Sequence, residues 1–107
     1  MIVDTTLVID FLRDRPAAIA FLDDLLAQGE LWTHPVVVAE TLLGARNRRE
    51  QQQIVALFAR FRMIDFDSAD GPDSLDRLRR FSLSHGVGWH DCLLASASRR
   101  LDLAVAR

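Results

Sequence analysis

The chain has no lysine, one cysteine and no long apolar run, and each absence narrows the range of possible functions. All thirteen basic residues are arginines, which together with fifteen acids give a formal net charge of −2 at pH 7. This balance provides no general attraction for nucleic acid, although the guanidinium group suits bidentate contacts to phosphate. The arginines cluster at Arg46, Arg48 and Arg49, at Arg77, Arg79 and Arg80, and at Arg99 and Arg100. Taken alone, such clusters are more typical of solvated helix faces than of a nucleic-acid interface.

The low cysteine content and the lack of long apolar runs indicate where in the cell the protein is located. A lone cysteine, Cys92, cannot form an internal disulfide, so we expect a reducing cytoplasm and a small, buried, apolar role for this residue. Asp, Glu or Arg interrupts every apolar run before it reaches the length of a membrane span. The N-terminus has no basic segment followed by an apolar stretch and a cleavage site, so neither a secretory signal nor a membrane is expected.

The segments that are present alternate between two kinds of pattern. A length of 107 residues with 50% apolar composition predicts one domain, residues 1–107, with its own core. MIVDT, ELWTH, MIDFD and LDLAVA predict strands. Apolar residues recur at helical spacing in six other segments, which we predict to be helices: TLVIDFLRD, RPAAIAFLDDLLAQG, PVVVAETLLGAR, the segment around Ile54, DSLDRLRRFSLSHG and WHDCLLASASRRL. This alternation predicts an α/β sandwich with a mostly parallel sheet.

Local signals mark some of the boundaries. Pro16 suits the first turn of its helix, and Gly29 suits the position just after the end of that helix. Asn47 followed by Glu50 resembles a capping box, and SADGP predicts a turn before the next helix. The β-branched run 36–38 leaves PVVVAETLLGAR open to a strand interpretation, although we favour a helix there.

Three acids lie in segments that are otherwise apolar or neutral, where a charge is costly unless it is paired or binds an ion. Asp4 ends the first predicted strand. Glu40 is the only charge in VVVAETLLGA, and Asp91 is the only carboxylate in GVGWHDCLLASA. The remaining acids have ordinary interpretations as solvated groups; Asp67 and Asp70, for example, flank the predicted turn.

These three acids predict a shared site. Ligands of doubly wound folds bind outside the carboxyl ends of the strands, where Asp4 lies and where helices can bring Glu40 and Asp91. Neighbouring carboxylates repel one another, and a hard cation such as Mg²⁺ or Mn²⁺ would neutralise them. Simpler interpretations stay open: Asp4 and Asp91 can each cap a helix, Glu40 can bond an arginine, and His90 can be a surface residue or a satisfied one rather than a ligand.

Three blocks of the sequence resemble a known family. IVDTTLVIDFL, VVVAETLLGA and GVGWHDCLLASAS are similar, in order and spacing, to the signature segments of PIN-domain ribonucleases, and most closely to VapC-type toxins of toxin–antitoxin pairs. The resemblance implies a three-layer α/β/α fold in which Asp4, Glu40 and Asp91 are catalytic acids that bind Mg²⁺ or Mn²⁺, with Thr6 as an accessory hydroxyl. It also implies cleavage of single-stranded or looped RNA, a homodimer, and inhibition by a cognate antitoxin.

One departure from the family leaves a second function open. The family usually carries a further acid or polar residue after the last strand, whereas this sequence stops at LAVAR, so we expect the usual C-terminal end to be missing. A site of three acids can bind metal weakly. The alternative is therefore a catalytically degenerate module of the same fold that engages antitoxin or RNA without turnover.

The sequence excludes two other functional classes. A phosphoacceptor receiver domain needs a pair of acids near the first strand and an active-site lysine, and this chain has VDTT and no lysine. A dinucleotide-binding fold needs G-x-G-x-x-G after its first strand, and no such motif is present.

Overall fold

The structure is a computed structural model that describes residues 1–107. Its four short strands are β1 (Ile2–Val3), β2 (Trp32–Thr33), β3 (Arg62–Met63) and β4 (Val105–Ala106). Its six helices are α1 (Thr5–Leu12), α2 (Pro16–Gln28), α3 (Pro35–Leu43), α4 (Arg48–Phe58), α5 (Asp70–His85) and α6 (Trp89–Leu101). None of these helices is both long enough and apolar enough to cross a membrane.

All four strands are parallel, in the order β3-β2-β1-β4. The strand β1 lies at the centre, where Ile2 pairs with Trp32 on one side and with Val105 on the other. The chain proceeds outward from β1 through β2 to β3, and then crosses back to form β4 beside β1. The carboxyl ends of β1 and β4 therefore border the point at which strand order reverses, which is where open α/β sheets bind ligands.

The core lies on both faces of this sheet. Ile2 and Val3 are completely buried although they point to opposite faces, because helices cover the sheet on each side. Leu22 of α2, Val37 of α3 and Leu94 of α6 are also completely buried and belong to one continuous apolar cluster. This arrangement confirms the three-layer α/β/α class, and the sheet proves to be entirely parallel.

The sequence signals placed most helices correctly. The segment with the ambiguous β-branched run is the helix α3, which His34 caps by accepting a hydrogen bond at Nδ1 from the Val36 N–H at 3.0 Å. Asn47 caps α4 by accepting from the Glu50 N–H at 2.9 Å. The reciprocal half of the predicted capping box is absent, because the Glu50 carboxylate accepts from the Arg46 backbone N–H and side chain instead.

The predicted turn before α5 was partly wrong. The helix begins at Asp70, inside SADGP, and Asp70 is not a solvated turn residue. Its carboxylate is 3% exposed and accepts two hydrogen bonds from Arg100 of α6, from Nε at 3.0 Å and from a terminal nitrogen at 2.8 Å. A third link joins the same helices, since the Ser96 hydroxyl donates to Asp73 at 2.6 Å. These polar contacts fix α6 against α5 and thereby fix the position of Asp91.

Candidate active site

Asp4 follows β1 directly and is the N-cap residue of α1. Its Oδ1 accepts a hydrogen bond from the backbone N–H of Thr5 at 2.7 Å. Its Oδ2 lies 3.8 Å from Nε of Arg107, which follows the adjacent strand β4. The helix-capping interpretation is thus correct. It does not exclude the functional one, because the buried carboxylate also lies at the point where strand order reverses.

Glu40 lies on α3 with its side chain 34% exposed. Its Oε1 is buried and has no hydrogen-bond partner. The closest basic side-chain atom is Nδ1 of His90, which lies 3.9 Å from Oε1 and is too far away for a hydrogen bond. A buried polar atom without a partner costs free energy, so an unpaired carboxylate oxygen indicates a group kept for binding rather than for stability.

Asp91 is the third residue of α6 and completes a capping box there. Its Oδ2 accepts a hydrogen bond from the Gly88 N–H at 3.2 Å. The N-cap residue is therefore Gly88 and not Asp91, although Asp91 supports the start of the helix from its third position. Its Oδ1 lies 3.3 Å from Nε2 of His90. The carboxylate therefore has one oxygen committed to the backbone and the other directed to a side chain.

His90 lies between two of the predicted acids. Its ring nitrogens approach Glu40 of α3 and Asp91 of α6, so these acids meet at one imidazole. A Cβ atom at Gly88 would lie 3.1 Å from the ring, so glycine at this position leaves room for it. The sequence predicted a surface or satisfied residue at His90 and no contact with Glu40, because that contact exists only once α3 packs against α6.

The structure does not bring all three acids into one metal-binding cluster. No group of three or more His, Cys, Asp or Glu side chains is close enough to hold a metal ion. The chemistry of the donors fits Mg²⁺ or Mn²⁺, because all are carboxylates and one Glu40 oxygen lacks a partner. Their spacing does not fit, since His90 lies between Glu40 and Asp91 while Asp4 faces Arg107. Joint binding of a cation therefore requires these side chains to rotate.

The two threonines after Asp4 have different environments. Thr6, the accessory residue that the family resemblance implies, is exposed on α1. Thr5 is buried, and its hydroxyl has no hydrogen-bond partner. The unpartnered hydroxyl next to Asp4 in the chain is thus that of Thr5, which makes this residue a second candidate for the accessory role.

Another histidine, His34, is completely buried at the same edge of the sheet. His34 follows β2, and its ring packs edge to face against Phe66 with the ring centroids 4.8 Å apart. Burial lowers the pKa of His34, and the nearby Asp70 carboxylate opposes this shift while Arg100 adds to it. The ring is therefore held in its neutral form as a helix cap, and its Nε2 is buried without a partner.

Comparison with known proteins identifies the family. The sequence profile of the PIN domain matches residues 1–106. The chain belongs to the PIN domain family, and the resemblance seen in its three signature blocks is confirmed. A search of curated protein sequences gave no match.

Solved structures share the fold. A toxin–antitoxin complex from Klebsiella pneumoniae matches with a TM-score of 0.79 and 16% identity, covering 97% of this chain and 82% of that one. VapBC2 from Rickettsia felis, bound to a DNA fragment from its promoter, matches with a TM-score of 0.75 and 18% identity over 97% and 83% of the two chains. FitAcB from Neisseria gonorrhoeae matches with a TM-score of 0.74 and 22% identity over 99% and 85%.

Proposed function

We propose that this chain is a metal-dependent endoribonuclease that cleaves single-stranded or looped RNA and forms the toxin of a toxin–antitoxin pair. Membership of the PIN domain family supports a nuclease, and similarity in fold to toxin–antitoxin complexes supports the toxin role. The observation that carries the proposal is the buried, unpartnered Oε1 of Glu40. This oxygen faces one ring nitrogen of His90, and Asp91 faces the other. The third acid, Asp4, directly follows the central strand β1.

The proposal assigns a role to each acid. Asp4, Glu40 and Asp91 would hold Mg²⁺ or Mn²⁺, with Thr6 or Thr5 as an accessory hydroxyl. A divalent cation bound there would stabilise negative charge on the phosphate and lower the pKa of a water molecule. Glu40 is the acid whose carboxylate has the fewest commitments to the protein, so it is the residue we assign to orienting the attacking water.

The proposal also includes partners. Of the three similar structures, the one from Klebsiella pneumoniae is a toxin–antitoxin complex, and the other two are VapBC2 and FitAcB. By analogy, we propose that a cognate antitoxin binds this chain and holds it inactive, and that the chain forms a homodimer in the cytoplasm. The RNA would bind through its phosphates to arginine side chains, which makes the affinity strongly dependent on salt.

One observation favours the alternative, a degenerate PIN module that binds antitoxin or RNA without turnover. No three ligating side chains lie close enough to hold a metal ion, and His90 and Arg107 approach the acids instead. If these contacts persist in solution, the site binds no cation. Thermal unfolding with added Mn²⁺ separates the two functions, because an ion that binds only the folded chain raises its melting temperature.

The experiment that tests the proposal is an RNA cleavage assay on the chain purified without antitoxin. We expect cleavage with Mg²⁺ or Mn²⁺, none with a chelator, and a loss of about 100-fold or more for Asp4→Asn, since metal stabilisation of the transition state is worth several kcal/mol. Asp23→Asn, a change of the same kind at an exposed acid of α2, is the matched control and should cleave normally. Equal cleavage in all these conditions would refute the proposal.

A further inference from the structure

Trp89 is a half-exposed aromatic residue at the start of α6, the helix that carries Asp91. It is the first residue of α6, immediately before His90 and two residues before Asp91, and 48% of its surface is exposed. The other tryptophan, Trp32, is better covered, and the Arg62 guanidinium lies over its ring at 5.7 Å from the centroid. Trp89 therefore presents apolar ring surface to solvent in the first turn of α6, the turn that also carries Asp91 about 3 Å further along the helix axis.

The orientation of the Trp89 ring is fixed from within the protein. Its indole N–H donates a hydrogen bond to the Ser74 hydroxyl of α5 at 3.1 Å. Ser74 is completely buried and in turn donates to the carbonyl of Gly71 at 2.8 Å. Because the only polar atom of the indole is satisfied inside the interface between α5 and α6, the part left exposed is carbon surface on an immobilised ring. Such preorganisation lowers the entropic cost of binding.

We propose that Trp89 stacks on an unpaired base of the RNA next to the phosphate that the site acts on. The inference rests on the proposed nuclease function and specifies how its substrate is held. Single-stranded RNA offers splayed bases, which proteins commonly stack on aromatic side chains. Stacking tolerates any sequence because every base has a π-face, so Trp89 would position the strand without selecting its sequence.

The test measures the affinity of the full chain for a single-stranded RNA oligonucleotide, in chelator so that binding is separated from cleavage. Trp89→Leu should raise the Kd about 5- to 150-fold, which corresponds to the usual worth of one base–aromatic stack. Trp89→Phe keeps an aromatic ring but loses the hydrogen bond to Ser74, so its Kd should lie between those of the native chain and Trp89→Leu. Phe21→Leu removes an aromatic of similar exposure, 43%, on α2 and should leave the Kd unchanged.

An abasic oligonucleotide of the same length provides the decisive comparison, since it keeps the phosphates and lacks the bases. We expect Trp89→Leu to bind it as the native chain does. The proposal is overturned if Trp89→Leu binds RNA with native affinity, or if it weakens RNA and the abasic strand equally. A Trp89→Leu chain that loses only its affinity for an antitoxin would also overturn it, because the ring would then belong to a protein interface.

These experiments can refute the stacking role without refuting the nuclease function, and the reverse. A native chain that binds RNA in a Trp89-dependent manner but never cleaves it with Mg²⁺ supports stacking and refutes the nuclease. A native chain that cleaves RNA, with an unchanged KM in Trp89→Leu, supports the nuclease and refutes stacking.

Discussion

Replacing Arg100 with alanine would leave the Asp70 carboxylate buried without its partner. The native pair is bidentate, with distances of 3.0 and 2.8 Å, and the Asp70 side chain is only 3% exposed. Removing one member of a buried ion pair typically costs about 3–5 kcal/mol, because the desolvated charge that remains is uncompensated. The Arg100 side chain is 27% exposed, so water can reach the vacated space, and we expect the lower end, about 3 kcal/mol.

Urea denaturation measures this cost. For a chain of this size the free energy of unfolding changes by about 1–2 kcal/mol per molar urea, so Arg100→Ala should lower the midpoint by about 1.5–3 M. Arg100→Lys keeps the charge without the bidentate geometry and should lose less stability than Arg100→Ala. The double change Asp70→Leu with Arg100→Met removes both charges and should recover much of the loss. A midpoint for Arg100→Ala within about 0.3 M of the native value would contradict the account of how α5 holds α6.

Two further predictions concern helix caps. Since burial lowers the pKa of His34, the folded chain binds a proton there less readily than the unfolded chain, whose value is near 6.5. The stability that neutral His34 contributes is therefore fully present above pH 6.5 and is lost as the pH falls from 6.5 towards the folded pKa. Over this range the free energy of unfolding falls by at most about 1.4 kcal/mol per pH unit. His34→Asn retains a cap and cannot titrate, so urea midpoints between pH 7 and 5 should fall less steeply; an unchanged slope would show that His34 is not responsible. Asn47→Ala removes the cap of α4 and should cost about 1 kcal/mol by the same assay, whereas Asn47→Asp should cost less; equal losses would contradict the capping role.

Local signals explain which parts of the fold were predictable. The helix α6 begins and ends at the predicted residues, Trp89 and Leu101, because its apolar spacing and its capping acid lie within one segment. The strands are shorter than the apolar runs suggested, and β3 lies at Arg62–Met63 rather than across MIDFD. Strand limits depend on pairing with β2, which is distant in the sequence, so no local pattern fixes them.

In the candidate site, too, features set by local sequence were predictable and features set by contacts between distant segments were not. Asp4, Glu40 and Asp91 could be selected from the sequence because each is an acid in an apolar or neutral setting. The bridging position of His90 could not be, since it depends on α3 and α6 packing together. Asp70 was misassigned for a similar reason, because its partner Arg100 is thirty residues away in the chain.

The claim on which the proposed function depends is that Asp4, Glu40 and Asp91 bind one divalent cation together. A crystal of the chain soaked in Mn²⁺, with diffraction recorded near the manganese absorption edge, tests it most directly. We predict an anomalous peak about 2.0–2.3 Å from carboxylate oxygens of Asp4 and Asp91, with Glu40 bound directly or through a water and His90 rotated away. A native chain saturated with Mn²⁺ that shows no such peak, with His90 still between Glu40 and Asp91, would contradict the claim.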